Sequence, residues 1–425
     1  MKKSVWLGVY SLVCFMVIAG FTSAMGQGKK ITITYYDMPD QVKFAEWGIK
    51  RFVKEHPNVH IEMLASPDPS TYWDKLQVMF AAGEAPNIYG TNPGGILLTH
   101  AKNGLLWDLT PYYEEYKEVF KDWTPRSIEW IKLFGRHWQV TTHGTVGYFL
   151  WYNKTMFEEA GVKLPTRDWT FYDFYDAAVR LTMDKDGDGK MDQWGHARSW
   201  WSWLTLVRGE GGRLLSSDLQ KCLLDSPEAI ESLEWQQRLA FEEAAIPSGI
   251  SAMGGGRQAY FGGRAASTQG TASHLAPVLD VEWEPALVPM PKGKAGRFPL
   301  GTAHSVVITK SCKYPDEAFK YLTYLSDYEA QVAAVREFGW VSSIPEVNEK
   351  YLGKSPGVDY PSGFKEIVIE TVGHPNASLP PRVPAEAEQE IISAQQKIFL
   401  QDAPVKQIVE DLVPRVNKLL QEFWE

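Results

Sequence analysis

β-Branched residues crowd the run KKITITYYD and predict a strand that ends at Asp37. Phe44, Ile49, Phe52 and Val53 then recur at helical spacing, and HPN stops that helix. VHIEML reads as a second strand, TYWDKLQVMFAAG as a second helix with Gly83 at its left-handed C-terminal cap, and PNIYGTN as a third short strand. Strand, helix, strand, helix, strand at this spacing predicts parallel βαβ units. The middle of the chain changes character. VTTHGTVGYFLWYN is β-rich and free of acidic residues, KTMFEEAGV is a short helix closed at Gly161, and TFYDFYDAAVRLTM is a helix whose Thr170 and Asp173 have capping-box spacing. A long amphipathic helix is predicted in SPEAIESLEWQQRLAFEEA. Two more, broken near Asp327, run from YPDEAF to Gly339, and two close the chain at about Ala385–Leu400 and Val405–Phe423.

The N-terminus adds a compartment. Lys2 and Lys3 precede the apolar run VWLGVYSLVCFMVIAGF and the small-residue stretch TSA, the pattern of a secretory signal peptide cut near Ala24. An uncleaved N-terminal anchor is the alternative. Cys14 lacks the small residue that a lipoprotein cleavage box places before its cysteine, so a soluble exported protein is expected. The formal charge is −9, and it becomes more negative when the leader takes Lys2 and Lys3 with it. Such a chain is not expected to bind nucleic acid. Cys222 and Cys312 alone remain after cleavage, too few for a disulfide framework. The length predicts two domains.

One loop carries metal-binding spacing. DKDGDGKMDQWG, Asp184 to Gly195, places Asp184, Asp186, Asp188 and Asp192 at positions 1, 3, 5 and 9 and Gly189 at position 6 of a calcium-binding EF-hand loop. The bidentate glutamate of position 12 is missing, because Gly195 stands there. A capped helix precedes the loop but β-like QWGHA follows it, so no helix pair is present to open as in a calcium sensor. An acidic turn without metal would also need the glycine for its geometry.

A set of further segments carries a family resemblance: AAGEAPNIY, YNKTMFEEAG with its following Trp169, the acidic loop, GGRLLSSD with SPEAIESLEW, GGRAASTQG, AHSVVITKSCKYPDEAFKYLTYLSD and FGWVSSIPE. In this order they resemble the extracellular solute-binding proteins of ABC importers, in the sugar-binding group that includes maltose-binding protein. Asn87 stands where the family usually has aspartate, and Ser267 where methionine is common. The resemblance implies an α/β, two-lobed periplasmic-binding-protein fold of type II-like topology, its lobes joined by a hinge of crossover strands. One lobe is expected at 29–140 and 293–338, the other at 141–292 and 339–425, with crossings near Val140–His143, Met290 and Trp340. It implies a carbohydrate, an oligosaccharide, held between the lobes and delivered to ABC permease subunits by a periplasmic or extracellular monomer. It also implies one structural calcium ion on Asp184, Asp186, Asp188, the Lys190 carbonyl and Asp192, with Gln193 or water completing the set.

Sugars are gripped by aromatic faces and by planar polar side chains, and loop tryptophans suit this work. In SWWSWL, counting back from Gly211–Gly212 places Trp201 where a relative of this family stacks an aromatic on its ligand. Trp200 is a second candidate, although Trp200 and Trp203 fit a core role equally. Trp73 and Trp340 are loop-placed candidates, whereas Trp47, Trp130 and Trp235 sit in helical patterns and read as core. Asp37, Asn92 and His304 are the candidate polar contacts, with a structural histidine as the other reading of His304. Arg198 and Arg208 flank the tryptophans. Either would pair with a ligand carboxylate if it entered the cleft, and the plainer reading is a solvated arginine. No enzyme is expected: neither a nucleophile elbow nor zinc-ligand spacing is present. An exported calcium-dependent carbohydrate-active enzyme and a sensory subunit of the same fold are the alternatives.

Overall fold

The β-branched run forms β1 (Ile31–Asp37), and the predicted βαβ order follows it: α1 (Val42–Glu55), β2 (Val59–Ala65), α2 (Tyr72–Ala81), β3 (Ile88–Thr91) and α3 (Gly95–Lys102). The computed structural model describes residues 30–67, 71–92, 94–198, 202–248, 256–272, 275–355, 357–377 and 382–425. Helices α4 (Thr110–Glu115), α5 (Lys117–Phe120) and α6 (Pro125–Glu129) lead to a small hairpin, β4 (Lys132–Leu133) and β5 (Arg136–His137). β6 (Val140–Gly147) and β7 (Phe149–Asn153) precede α7 (Lys154–Glu159), α8 (Phe171–Arg180), α9 (Ser202–Glu210), α10 (Pro227–Phe241) and α11 (Arg257–Phe261). Next come β8 (Ser267–Gly270), α12 (Leu275–Leu279), β9 (Pro285–Pro289) and β10 (Gly301–Ile308). The chain ends in α13 (Pro315–Tyr324), α14 (Tyr328–Arg336), α15 (Pro345–Tyr351), α16 (Phe364–Gly373), α17 (Ala385–Leu400) and α18 (Val405–Trp424).

Two sheets organise these elements. The first has the order β2-β1-β3-β10-β6 and the second β8-β7-β9. β1 runs parallel to β2 and β3, with Ile31 beside Val59 and Tyr35 beside Ile88. Its Ile31, Ile33 and Tyr35 are buried on one face, whereas Thr32 on the other face is exposed. β10 inserts antiparallel between β3 and β6. β6 stays in the first sheet as far as Gly147, and β7 begins the second at Phe149. The passage between sheets is therefore at Tyr148, beyond the expected Val140–His143, because residues 141–147 are held by pairing with β10.

Local signals form as their chemistry dictates. Thr170 and Asp173 make the reciprocal capping box of α8. Gly83 takes φ 75° after α2, and Asp327 caps α14 by accepting from the Ala330 N–H at 2.8 Å. In α18 Val405, Val409, Leu412, Val416 and Leu420 form the buried stripe that packs with α9, α10 and α17. Trp203 and Trp235 are buried in these helical layers, whereas Trp47 and Trp130 are only half-buried.

Candidate functional site

The ends of β1 and β3 lie side by side, and the antiparallel pair β6 and β10 brings a second set of side chains against them. Ligands of parallel α/β sheets gather beyond such carboxyl ends. Asp37 is the last residue of β1 and is fully buried. Its Oδ2 accepts from the Tyr35 hydroxyl at 2.6 Å; its Oδ1 accepts from the Met38 N–H at 2.8 Å and pairs with His304 Nε2 at 3.0 Å. Glycine at 90 makes room for this carboxylate, since a Cβ there would lie 1.9 Å from Asp37 Oδ1. A carboxylate only accepts, so His304 Nε2 carries a proton, while Nδ1 meets the Thr142 hydroxyl at 2.8 Å. The β6–β10 register shifts on both sides of His304, as bulges do where a side chain is re-aimed. Burial first, and then Asp37, holds the Tyr35 hydroxyl well above its usual pKa.

Around this line is an aromatic stack. The His143 ring lies 5.4 Å from His304 at 9° and 4.0 Å from Trp340 at 28°. Its Nε2 meets the Gln41 side-chain oxygen at 3.1 Å. Burial pushes the His143 pKa well below the ordinary histidine value, with His304 adding to the effect. Phe44 meets Trp340 edge-on at 5.3 Å. The structure thus gathers Asp37, His304 and Trp340 into one cluster. Neither Gln41 nor His143 stood out in the sequence: Gln41 directly precedes α1, and His143 lies in an uncharged β run.

Trp73 is not on a loop: it stands in the first turn of α2, edge-on to Tyr72 at 4.8 Å, and the Tyr72 hydroxyl donates to the Gly90 carbonyl at 2.5 Å. Asn92 follows β3 directly and is half-buried. Trp200 and Trp201 lie outside the described residues. Arg198 is not the solvated arginine of the plainer reading. It is 4% exposed, its guanidinium lies 3.9 Å from the Phe399 ring centre, and it donates to the Gln236 carbonyl at 3.3 Å. Burial pushes its pKa down to about 9. Arg208 is half-buried with its guanidinium over Phe298. On β8, Gln269 is fully buried and neither of its amide atoms has a hydrogen-bond partner among the described residues. A separate cavity of about 290 Å³ lies between α6, the segment after Trp340 and α16, lined by Arg126, Trp130, Val341, Ser343, Ile369 and Val372.

Asp37, His304 and Thr142 have the order of an Asp–His–hydroxyl triad. The Thr142 side chain is 1% exposed, and its carbonyl accepts from Gln331 Nε2 at 2.9 Å. The line ties β1, β10 and β6 together and offers no open nucleophile.

In the acidic loop one carboxylate oxygen from each of Asp184, Asp186 and Asp188 lies within 4.8 Å of the others. Asp184 accepts from the Gly187 and Gly189 N–H groups at 2.7 and 2.8 Å, and the Gly189 N–H is the main cause of its lowered pKa. Asp192 stands outside this group and accepts from the Lys185 N–H at 2.8 Å. Lys190 Nζ is 3.7 Å from Asp188. Gln193, expected as a completing ligand, turns inward: its amide donates to the Leu181 carbonyl at 2.7 Å and the residue is 3% exposed. Gly195 has no room for a side chain, since a Cβ there would lie 1.8 Å from the Ala178 carbonyl oxygen.

Two α/β sheets joined where β6 becomes β7, with a polar and aromatic cluster at the strand ends, define a two-lobed solute-binding fold. The chain belongs to the bacterial extracellular solute-binding protein family, whose model matches residues 37–332. The multiple sugar-binding protein of Streptococcus mutans is 26% identical over 170 residues, 39% of this chain and 38% of that relative. The ABC substrate-binding protein Lmo0181 of Listeria monocytogenes, solved in complex with cycloalternan, superposes with a TM-score of 0.82 at 22% identity, covering 92% of this chain and 100% of its own. The maltose-bound MalE3 of T. maritima gives 0.75 at 19% identity with the same coverage. Both superpositions bear out the expected two-lobed α/β fold. Among the described residues no helix is long and apolar enough to cross a membrane.

Proposed function

We propose that this protein is the exported substrate-binding component of an ABC transporter, which captures a carbohydrate in the cleft between its lobes and delivers it to a membrane permease. The cluster of Asp37, His143, His304 and Trp340 beyond the ends of β1 and β3 carries this reading, because ligands of parallel α/β sheets gather beyond such ends and are held by aromatic and polar side chains. The sugar-binding relative and the glycan-bound neighbours support the ligand class. Cleavage near Ala24 would release the mature chain as a soluble monomer outside the cytoplasm. Trp73, Asn92, Trp200, Trp201 and Trp340 are the proposed ligand contacts, with Asp37 and His304 bracing the floor beneath them.

Trp201→Ala tests the assignment. Truncating a stacked aromatic anchor costs about 2 kcal/mol, a loss of affinity of roughly thirtyfold. Calorimetric titration of the variant with a panel of malto-oligosaccharides should show that loss with the melting temperature unchanged. Preserved affinity with a lowered melting temperature would instead make Trp201 a core residue.

The acidic loop is proposed as a structural calcium site on Asp184, Asp186 and Asp188, with the Lys190 carbonyl and Asp192 completing it. Clustered hard oxygen donors fit calcium. In this arrangement Asp192 must exchange its bond from Lys185 for the ion. Melts with calcium and with EDTA should differ. Equal midpoints together with no calcium by elemental analysis would leave the loop a plain acidic turn.

A further inference from the structure

The head of α17 crosses from one lobe to the other. α17 and α18 share a core with α9 and α10, and Leu206 of α9 and Trp235 of α10 pack with Leu150 and Val288 of the second sheet, whereas α3 follows β3 of the first. At Gly95, the first residue of α3, an added Cβ would lie 2.3 Å from the Val383 carbonyl oxygen, 2.7 Å from Glu388 Oε2 and 3.3 Å from the Ala385 nitrogen. The Glu388 carboxylate thus faces the start of α3, which suits the positive end of a helix. Burial raises the Glu388 pKa, and the Gly95 backbone opposes the rise.

Arg382, just before α17, makes a second crossing. Its two terminal nitrogens donate to the carbonyls of Trp130 and Lys132, beside the small hairpin. That hairpin is tied to the first lobe, because the Leu109 N–H donates to the His137 carbonyl and the Trp107 N–H to that of Ile308. Burial lowers the Arg382 pKa to about 10. Further along, Lys102 lies over the Phe423 ring at 4.5 Å, and Phe134 meets Trp424 edge-on at 5.7 Å. Backbone approach at a glycine, a carboxylate on a helix start and a guanidinium on two carbonyls all join the same two bodies.

We infer that Gly95, Arg382 and Glu388 form a lobe-to-lobe latch that holds the closed form and so positions the two halves of the binding site. These residues set affinity without touching ligand: a site assembled only in the closed form binds with an apparent Kd equal to the intrinsic Kd divided by the closed fraction. The inference rests on the reading that ligand is captured between the lobes.

The latch is testable without any ligand, so a failed carbohydrate assignment would not disturb the result. Spin labels at Val78 on α2 and Tyr172 on α8, both well exposed, report the distance between the lobes. In the ligand-free protein Gly95→Ala should move that distance distribution to longer values, because its methyl meets the Val383 backbone, which has no rotamer to yield. The double variant Arg382→Ala/Glu388→Ala should do the same, and Glu388→Gln, which keeps an acceptor for Gly95, should stay close to the parent. Thermal melts identify any variant that fails to fold. An unshifted distribution in whichever of Gly95→Ala and the double variant folds, or a shift in Glu388→Gln equal to that of Gly95→Ala, overturns the latch.

Discussion

Gly195→Glu, which restores the glutamate that a calcium loop carries at its twelfth position, is expected to lower stability by about 3 kcal/mol or more and to add no calcium affinity. The Cβ created at 195 would lie 1.8 Å from the Ala178 carbonyl oxygen and 2.4 and 2.5 Å from its carbonyl carbon and Cα. All three are backbone atoms of α8, fixed at the start of that helix by its capping box, so no side-chain rotation relieves the contact. Gly195 is further held by its N–H bond to the Thr182 hydroxyl, which in turn donates to Ala178. Inserting atoms into such packing costs about 1–3 kcal/mol, and a buried carboxylate without a partner adds several more. Gly195→Ala carries the same Cβ without the charge and should account for the first part. Urea unfolding with calcium and with EDTA measures both variants. An alanine variant as stable as the parent would show that the loop has room to withdraw from α8. A glutamate variant more calcium-dependent than the parent would show the loop refolding around the ion.

That loop marks the boundary of what the sequence carries. Asp184, Asp186, Asp188 and Gly189 are legible because turn geometry and metal coordination both ask for short acidic side chains and glycine at those spacings. The contact between Gly195 and α8, and the inward turn of Gln193, are tertiary and leave no local trace. The same division holds elsewhere. The capping box at Thr170, the cap at Asp327 and the left-handed Gly83 depend on neighbours three or four residues away, and they form as read. The βαβ order is legible because its hydrophobic period changes visibly between strand and helix. The insertion of β10 between β3 and β6 pairs residues more than a hundred positions apart, and it moves the passage between sheets to Tyr148. Arg198 reads as solvated because a sequence shows a charge and not the Phe399 ring that covers it. In the sequence Asp37, His304 and Trp340 are separate candidates, far apart along the chain. What joins them is His143, whose uncharged β run gave no sign of a ring stacked between two others.

Asp37→Ala is expected to cost about 3–5 kcal/mol of stability while leaving the ligand affinity of the folded fraction within a few-fold of the parent. Removing the carboxylate strands the Tyr35 hydroxyl, the Met38 N–H and the His304 N–H in a buried place, and breaking a buried pair from one side carries a cost of that size. Asp37→Asn separates charge from shape. It keeps one acceptor oxygen, which serves Met38 and His304, but presents an NH2 to the Tyr35 hydroxyl, which must then turn and accept. Its loss should be smaller, about 1–3 kcal/mol, the cost of one unsatisfied buried group. His304→Gln should resemble the asparagine variant more than the alanine one, since its amide can donate to Asp37 but does not reach the Thr142 hydroxyl at the same time. Urea unfolding orders the three variants by stability, and titration with a malto-oligosaccharide panel orders them by affinity. A direct ligand contact at Asp37 predicts the opposite pairing, affinity lost at least tenfold with stability kept. That pairing would require the carboxylate to leave Tyr35 and His304 when ligand enters, and would move Asp37 from the floor of the cleft to its working surface.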